Sequence, residues 1–150
     1  MERDTIMDSE FARAIILDNY QSPSNRGVPT EDDYIKINTN NESCIDNLDI
    51  YVQIKDNKIN DICFEGEACA ISTSSTSIMI RNLIGKTIDE ALNYIENFEN
   101  MLNEKPYDES ILEEGLVYQE IYKQGNRKHC AYLPYEGIKK VLLHEKEKTK

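Results

Sequence analysis

The stretch Asn47-Leu48-Asp49-Ile50-Tyr51-Val52-Gln53-Ile54-Lys55-Asp56-Asn57-Lys58-Ile59-Asn60-Asp61-Ile62-Cys63-Phe64 decides the fold. Leu48, Ile50, Val52 and Ile54 recur at every second position, so one face of an extended segment is apolar and the other polar. Asp56-Asn57 is a tight-turn signal without the usual Gly. Ile59 to Phe64 returns as a second strand and stops at Gly66. Upstream, Tyr34, Ile35 and Ile37 suggest another strand, closed by a turn at Asn40-Asn41. The result is a three-stranded antiparallel meander.

On either side the period becomes helical. Met7, Phe11, Ala14, Ile15 and Asp18 share one helical face, with Asp8 or Ser9 as cap. Ser22-Pro23-Ser24-Asn25-Arg26-Gly27 ends that helix by turn chemistry. Ile71, Ile78 and Met79 bracket Ser72-Thr73-Ser74-Ser75-Thr76-Ser77. Their spacing predicts a helix of small side chains able to pack closely on the sheet, despite poor propensity. Thr87 and Glu90 form a capping box ahead of the stripe Ala91, Leu92, Ile95, Phe98 and Leu102. A short helix follows around Ile111–Tyr122, then a turn at Gly125-Asn126. The last helix carries Leu133, Ile138, Val141 and Leu142, and places Pro134 in its first turn, where a missing N–H costs little. The fold class is α+β: a three-stranded antiparallel sheet with helices packed on one face. Residues 1–150 read as a single domain, with frayed ends at about 1–5 and 145–150.

Seventeen Lys and Arg against 28 Asp and Glu give a formal net charge of −11. Such a chain lacks the basic clusters that phosphate contacts require, so nucleic acid and anionic membrane surfaces are excluded as partners. A basic protein surface is a natural counterpart. No run approaches the length of a membrane helix, and Met1-Glu2-Arg3-Asp4 leads into no signal-like segment. A cytoplasmic location is expected, and there the four cysteines stay reduced.

Each cysteine has a distinct setting. Cys44 and Asp46 stand at i and i+2, so on a strand both project to one side. Cys69, in Gly66-Glu67-Ala68-Cys69-Ala70, stands at the start of the Ser/Thr-rich helix, where unpaired N–H groups favour thiolate. Cys130 follows Arg127-Lys128-His129 at the expected start of the last helix, and these neighbours favour thiolate as well. Cys63, between Ile62 and Phe64, reads as plain core. Gaps of 24 residues from Cys44 to Cys69 and 60 from Cys69 to Cys130 match no zinc finger, redox dithiol or ferredoxin pattern. Three thiols and one carboxylate can nevertheless build a tetrahedral site, although spacing alone leaves their convergence open. A cysteine hydrolase is disfavoured, since the histidines are His129 and His144 alone, with no base and orienter set.

Taken together these motifs resemble the NifU/IscU/SufU family of iron–sulfur assembly proteins. The resemblance rests on Asp18-Asn19-Tyr20-Gln21-Ser22-Pro23-Ser24-Asn25-Arg26-Gly27, Ser43-Cys44-Ile45-Asp46, Phe64-Glu65-Gly66-Glu67-Ala68-Cys69-Ala70-Ile71-Ser72 and His129-Cys130-Ala131, in family order from about Phe11 to Val141. The long spacer before Cys130 and the position of Arg127 look SufU-like; His129 looks IscU-like. The resemblance implies metal ligands at Cys44, Asp46, Cys69 and Cys130, with His129 and Arg127 as possible accessory residues. It implies Cys44 as sulfur acceptor and Asp46 as the labile ligand. The implied cofactor is zinc, or alternatively iron or a transient [2Fe–2S] cluster. The implied partners are a SufS-like cysteine desulfurase and downstream iron–sulfur acceptor proteins. Whether the protein is an enzyme stays open between a zinc-dependent persulfide transferase and a non-enzymatic scaffold. Zinc with three thiolates and a carboxylate carries a charge of about −2, which Arg127 and Lys128 would offset. Ile45 stands where the family usually has Gly, and Glu42 where it often has Pro. These departures motivate the alternative, a metal-free divergent paralogue acting as a protein-interaction module.

Overall fold

The computed structural model describes residues 9–40 and 46–148. Its sheet has the order β1-β2-β3, with β1 Ile35–Asn40, β2 Asn47–Lys55 and β3 Lys58–Glu67, all antiparallel. Asp56 and Asn57 turn the β2–β3 hairpin at φ 53 and 64. Both lie in the left-handed region that a two-residue hairpin turn needs, and Asp and Asn tolerate it better than other non-Gly residues. Lys55 then pairs with Lys58. Leu48, Ile50 and Val52 of β2 and Ile62 and Phe64 of β3 point to one face and are fully buried. Each such side chain contributes about 1.5–3 kcal/mol by leaving water. Asn40 does not turn the chain; it extends β1 and pairs with Asn47. Asn41 lies outside the described residues.

The helices are α1 Ser9–Gln21, α2 Ala70–Leu83, α3 Ile88–Leu102, α4 Glu109–Leu112 and α5 Gly125–Lys148; α2 and α5 meet the sheet, α1 packs on α2, α3 on α5 and α4 on α3. The Ser/Thr run is helical, as its spacing predicts. It packs chiefly between α1 and α5 rather than against the sheet. Ser72 through Ser77 are all buried, and each of the six hydroxyls has a hydrogen-bond partner, as buried polar groups require. Ser75 Oγ donates to Ala131 O at 2.6 Å, and Ser77 Oγ donates to Asn19 Oδ1 at 2.6 Å. Small side chains let the helix axes approach, and the hydroxyls tie them together.

The face of α1 differs from the expectation. Asn19 is the buried residue, with Ala12, Ile15 and Ile16 partly buried beside it, while Phe11 and Ala14 are exposed. The Ser77 hydroxyl draws Asn19 inward, and that rotates Phe11 away. In α3 the capping box forms as expected, Thr87 Oγ1 accepting from Glu90 N–H at 3.1 Å. The segment after α4 runs as 3-10 turns over Glu113–Tyr118 and Ile121–Lys123 rather than one helix.

The largest correction concerns α5. Gly125-Asn126 opens this helix instead of forming a turn before it, and the helix continues through Lys148, past the expected fray at Glu145. Cys130 is therefore inside the helix, and Pro134 is an interior residue rather than a first-turn one.

Cys63 is buried but does not join the core cluster. It pairs with Tyr51 on the opposite face of the sheet. There Tyr34 Oη donates to Asp61 Oδ2 at 2.5 Å and Gln53 Nε2 donates to Asp33 Oδ1 at 2.8 Å. Strand alternation places Cys63 there, since its neighbours Ile62 and Phe64 face the core.

Candidate metal centre

Hairpin register builds the centre. Asn47 pairs with Glu67, so Asp46 and Cys69 are carried to the same end of the sheet. At Gly66 the strands come too close for a side chain. A Cβ there would lie 2.3 Å from the Asn47 carbonyl oxygen, and φ is +132. Cys69 is the N-cap of α2, at φ −68 and ψ 170, and its Sγ accepts from Ser72 N–H at 3.4 Å. The helix-start position expected for Cys69 is thus the one it occupies. α5 crosses α2 and supplies Cys130.

One ligand atom each from Asp46, Cys69 and Cys130 lies within 4.8 Å of the others. Asp46 is 2% exposed and Cys130 5%. A carboxylate so buried requires donors, and it has them. Cys69 N–H donates to Asp46 Oδ1 at 2.7 Å, and Ser72 Oγ donates to Asp46 Oδ2 at 2.6 Å. Cys69 Sγ stands 3.8 Å from Asp46 Oδ2. The N-terminus of α2 adds its positive dipole end to this anion.

Burial pushes the Cys130 thiol well above its ordinary value, and the hydrogen bond with Cys69 and the Asp46 charge push the same way. This reverses the expectation that Arg127, Lys128 and His129 would favour its thiolate. Because Cys130 is inside α5 and not at its start, it is turned inward while Arg127 and His129 are exposed.

Among the described residues, the structure therefore brings together Asp46, Cys69 and Cys130, and leaves His129 and Arg127 outside the group. Cys44 and Ile45 lie outside the described residues. Two thiols and one carboxylate facing each other, Asp46 and Cys130 buried and Cys69 half-buried, form a donor set that suits zinc or iron. Sequence reasoning passed over Ser72, which touches Asp46, Cys69 and Cys130. Its signal was available: it stands three residues after Cys69, the N3 position that an N-cap side chain reaches.

Comparison with known proteins places the chain among relatives of one family. Residues 12–142 match the family described as NifU-like N terminal domain. The chain is 34% identical over 134 residues to the zinc-dependent sulfurtransferase SufU of Bacillus subtilis, covering 89% of this chain and 90% of that one. It is 31% identical over 102 residues to the iron–sulfur cluster assembly scaffold protein IscU of Thermotoga maritima, covering 68% and 72%. A crystal structure of a putative iron–sulfur cluster assembly scaffold protein for the SUF system from Fervidobacterium islandicum superposes with a TM-score of 0.81 at 33% identity. It covers 85% of this chain and 93% of that one.

Proposed function

The chain belongs to the NifU-like N-terminal domain family, and from that premise we propose that it is an iron–sulfur cluster assembly protein that receives persulfide sulfur from a cysteine desulfurase. The observation that carries this reading is the convergence of Asp46, Cys69 and Cys130 within 4.8 Å. The high coverage of the zinc-dependent sulfurtransferase supports zinc as the resident metal. Zinc would be held by these three residues and by Cys44, two positions before Asp46 in the chain. When bound it would supply charge that keeps the ligating thiols as thiolates, without redox chemistry.

Cys44 is the sulfur acceptor in this reading. Its thiolate attacks the outer sulfur of the desulfurase persulfide. A new S–S bond forms on Cys44 as the donor S–S bond breaks, and the desulfurase cysteine leaves as thiolate. Asp46 is the ligand that yields most easily, because a carboxylate is harder than the three thiolates around a soft metal. The sulfur then passes to iron–sulfur acceptor proteins downstream. The desulfurase is of the SufS type, and the setting is the cytoplasm. There is no helix long and apolar enough to cross a membrane among the described residues. The IscU relative favours a second reading, in which the same donors hold a [2Fe–2S] cluster as cargo.

Metal analysis of protein purified without chelators tests the assignment. The expected result is about one zinc per chain, as a closed four-ligand site implies, lost in Cys69→Ser. Iron with visible absorption after anaerobic reconstitution would favour the scaffold reading. Folded protein free of any metal would overturn the ligand assignment and leave the interaction-module alternative.

A further inference from the structure

Pro134 stands inside α5 without an N–H, so it offers nothing to the carbonyl of Cys130 four residues earlier. The Ser72 hydroxyl donates to that carbonyl at 3.0 Å. The same hydroxyl donates to Asp46 Oδ2 at 2.6 Å, and the Ser72 N–H meets Cys69 Sγ at 3.4 Å. Ser72 is fully buried. One residue on α2 thus touches all three candidate ligands, and a proline on α5 makes one of those contacts available. A hydroxyl carries a single proton, so the Asp46 carboxylate and the Cys130 carbonyl share it.

We propose that Ser72 is a positioning residue of the metal centre: its hydroxyl aims the Asp46 carboxylate and turns its hydrogen bond to the Cys130 carbonyl when that carboxylate turns away. This rests on the metal-site reading above. Were Asp46 the sole acceptor, its release would strand a buried donor, which is costly. With the Cys130 carbonyl adjacent, the hydroxyl stays satisfied in both positions. Asp46 is therefore held in a defined orientation and still exchanges readily. Alanine at position 134 would give the Cys130 carbonyl a helical N–H and leave the Ser72 proton to Asp46 alone.

The test is zinc affinity of the full chain, measured by competition with a chromophoric chelator, alongside far-UV circular dichroism. Ser72→Ala is expected to bind zinc about 10–100-fold more weakly with an unchanged fold. In an Asp46→Ala background the same change should cost nothing further, because Ser72 acts through Asp46. If Ser72→Ala folds poorly, Ser72→Ala with Pro134→Ala restores a donor to the Cys130 carbonyl, and with it folding, but not affinity. Unchanged affinity in Ser72→Ala, an equal further loss in Asp46→Ala, or recovered affinity in the double variant would overturn the inference and leave the metal reading standing. No zinc binding by the unaltered chain would overturn both.

Discussion

Gly66→Ala perturbs the point where the sheet and the metal centre meet. The new Cβ would stand 2.3 Å from the Asn47 carbonyl oxygen and 3.2 Å from the Leu48 Cα, both backbone atoms of the paired strand. Carbon–oxygen contacts below 3.0 Å are essentially not seen, so Asn47 must retreat by at least 3.0 − 2.3 = 0.7 Å. Gly66 also sits at φ +132, a conformation that L side chains rarely adopt, and this strain costs about 1–3 kcal/mol. Losing a ladder hydrogen bond as the strands part adds about 1 kcal/mol. The sum is about 2–4 kcal/mol, or roughly 5–15 °C in melting temperature for a domain of this size. Asp46 precedes Asn47, so displacement of that strand end also misaligns the carboxylate with Cys69. Thermal melts followed by circular dichroism, with chelator and then with zinc, read both effects. The metal-free midpoint should fall by that amount, and the rise on adding zinc should shrink. Gly125→Ala is the control, because a Cβ there meets nothing within 4 Å. A Gly66→Ala midpoint within roughly 2 °C of the unaltered protein would refute the reasoning, since it would mean less than about 1 kcal/mol of strain.

Thr87→Ala removes the N-cap of α3 and should cost about 1 kcal/mol, lowering the melting temperature with zinc content unchanged. Cys63→Ala should leave zinc content intact in metal analysis, because that thiol lies outside the core cluster on the opposite face of the sheet; a loss of metal would show that it belongs to the centre. Metal-free protein should lose stability as pH rises above about 8.5, where an unburied thiol ionises. The Cys130 and Cys63 thiols are pushed up by burial, so across that range the folded state holds protons that the unfolded state has released, and unfolding is favoured. Thermal melts at pH 7.5 and 9.5 check the sign, and a flat profile would contradict it.

The fold was legible because its signals are local. Alternation of Leu48, Ile50 and Val52, left-handed residues at Asp56 and Asn57, and the Thr87–Glu90 box depend on neighbours a few positions apart. The rotation of α1 was not legible, because it follows from Ser77 meeting Asn19 across 58 residues. The candidate ligands were legible as a set of motifs, whereas their electrostatics were not. Arg127, Lys128 and His129 beside it in sequence suggested a Cys130 thiolate, but α5 begins at Gly125 and turns Cys130 inward while Arg127 and His129 stay exposed.

What the sequence determined by itself is therefore the meander, the helices around it, and the residue types able to bind a soft metal. Only the tertiary structure decided that Asp46, Cys69 and Cys130 meet within 4.8 Å, and that Ser72 joins them through a carbonyl to which Pro134 can give no N–H. The physical reason is one of range. Backbone dihedrals and side-chain periodicity are set within a turn or a strand, whereas desolvation and hydrogen-bond sharing depend on what another element brings alongside.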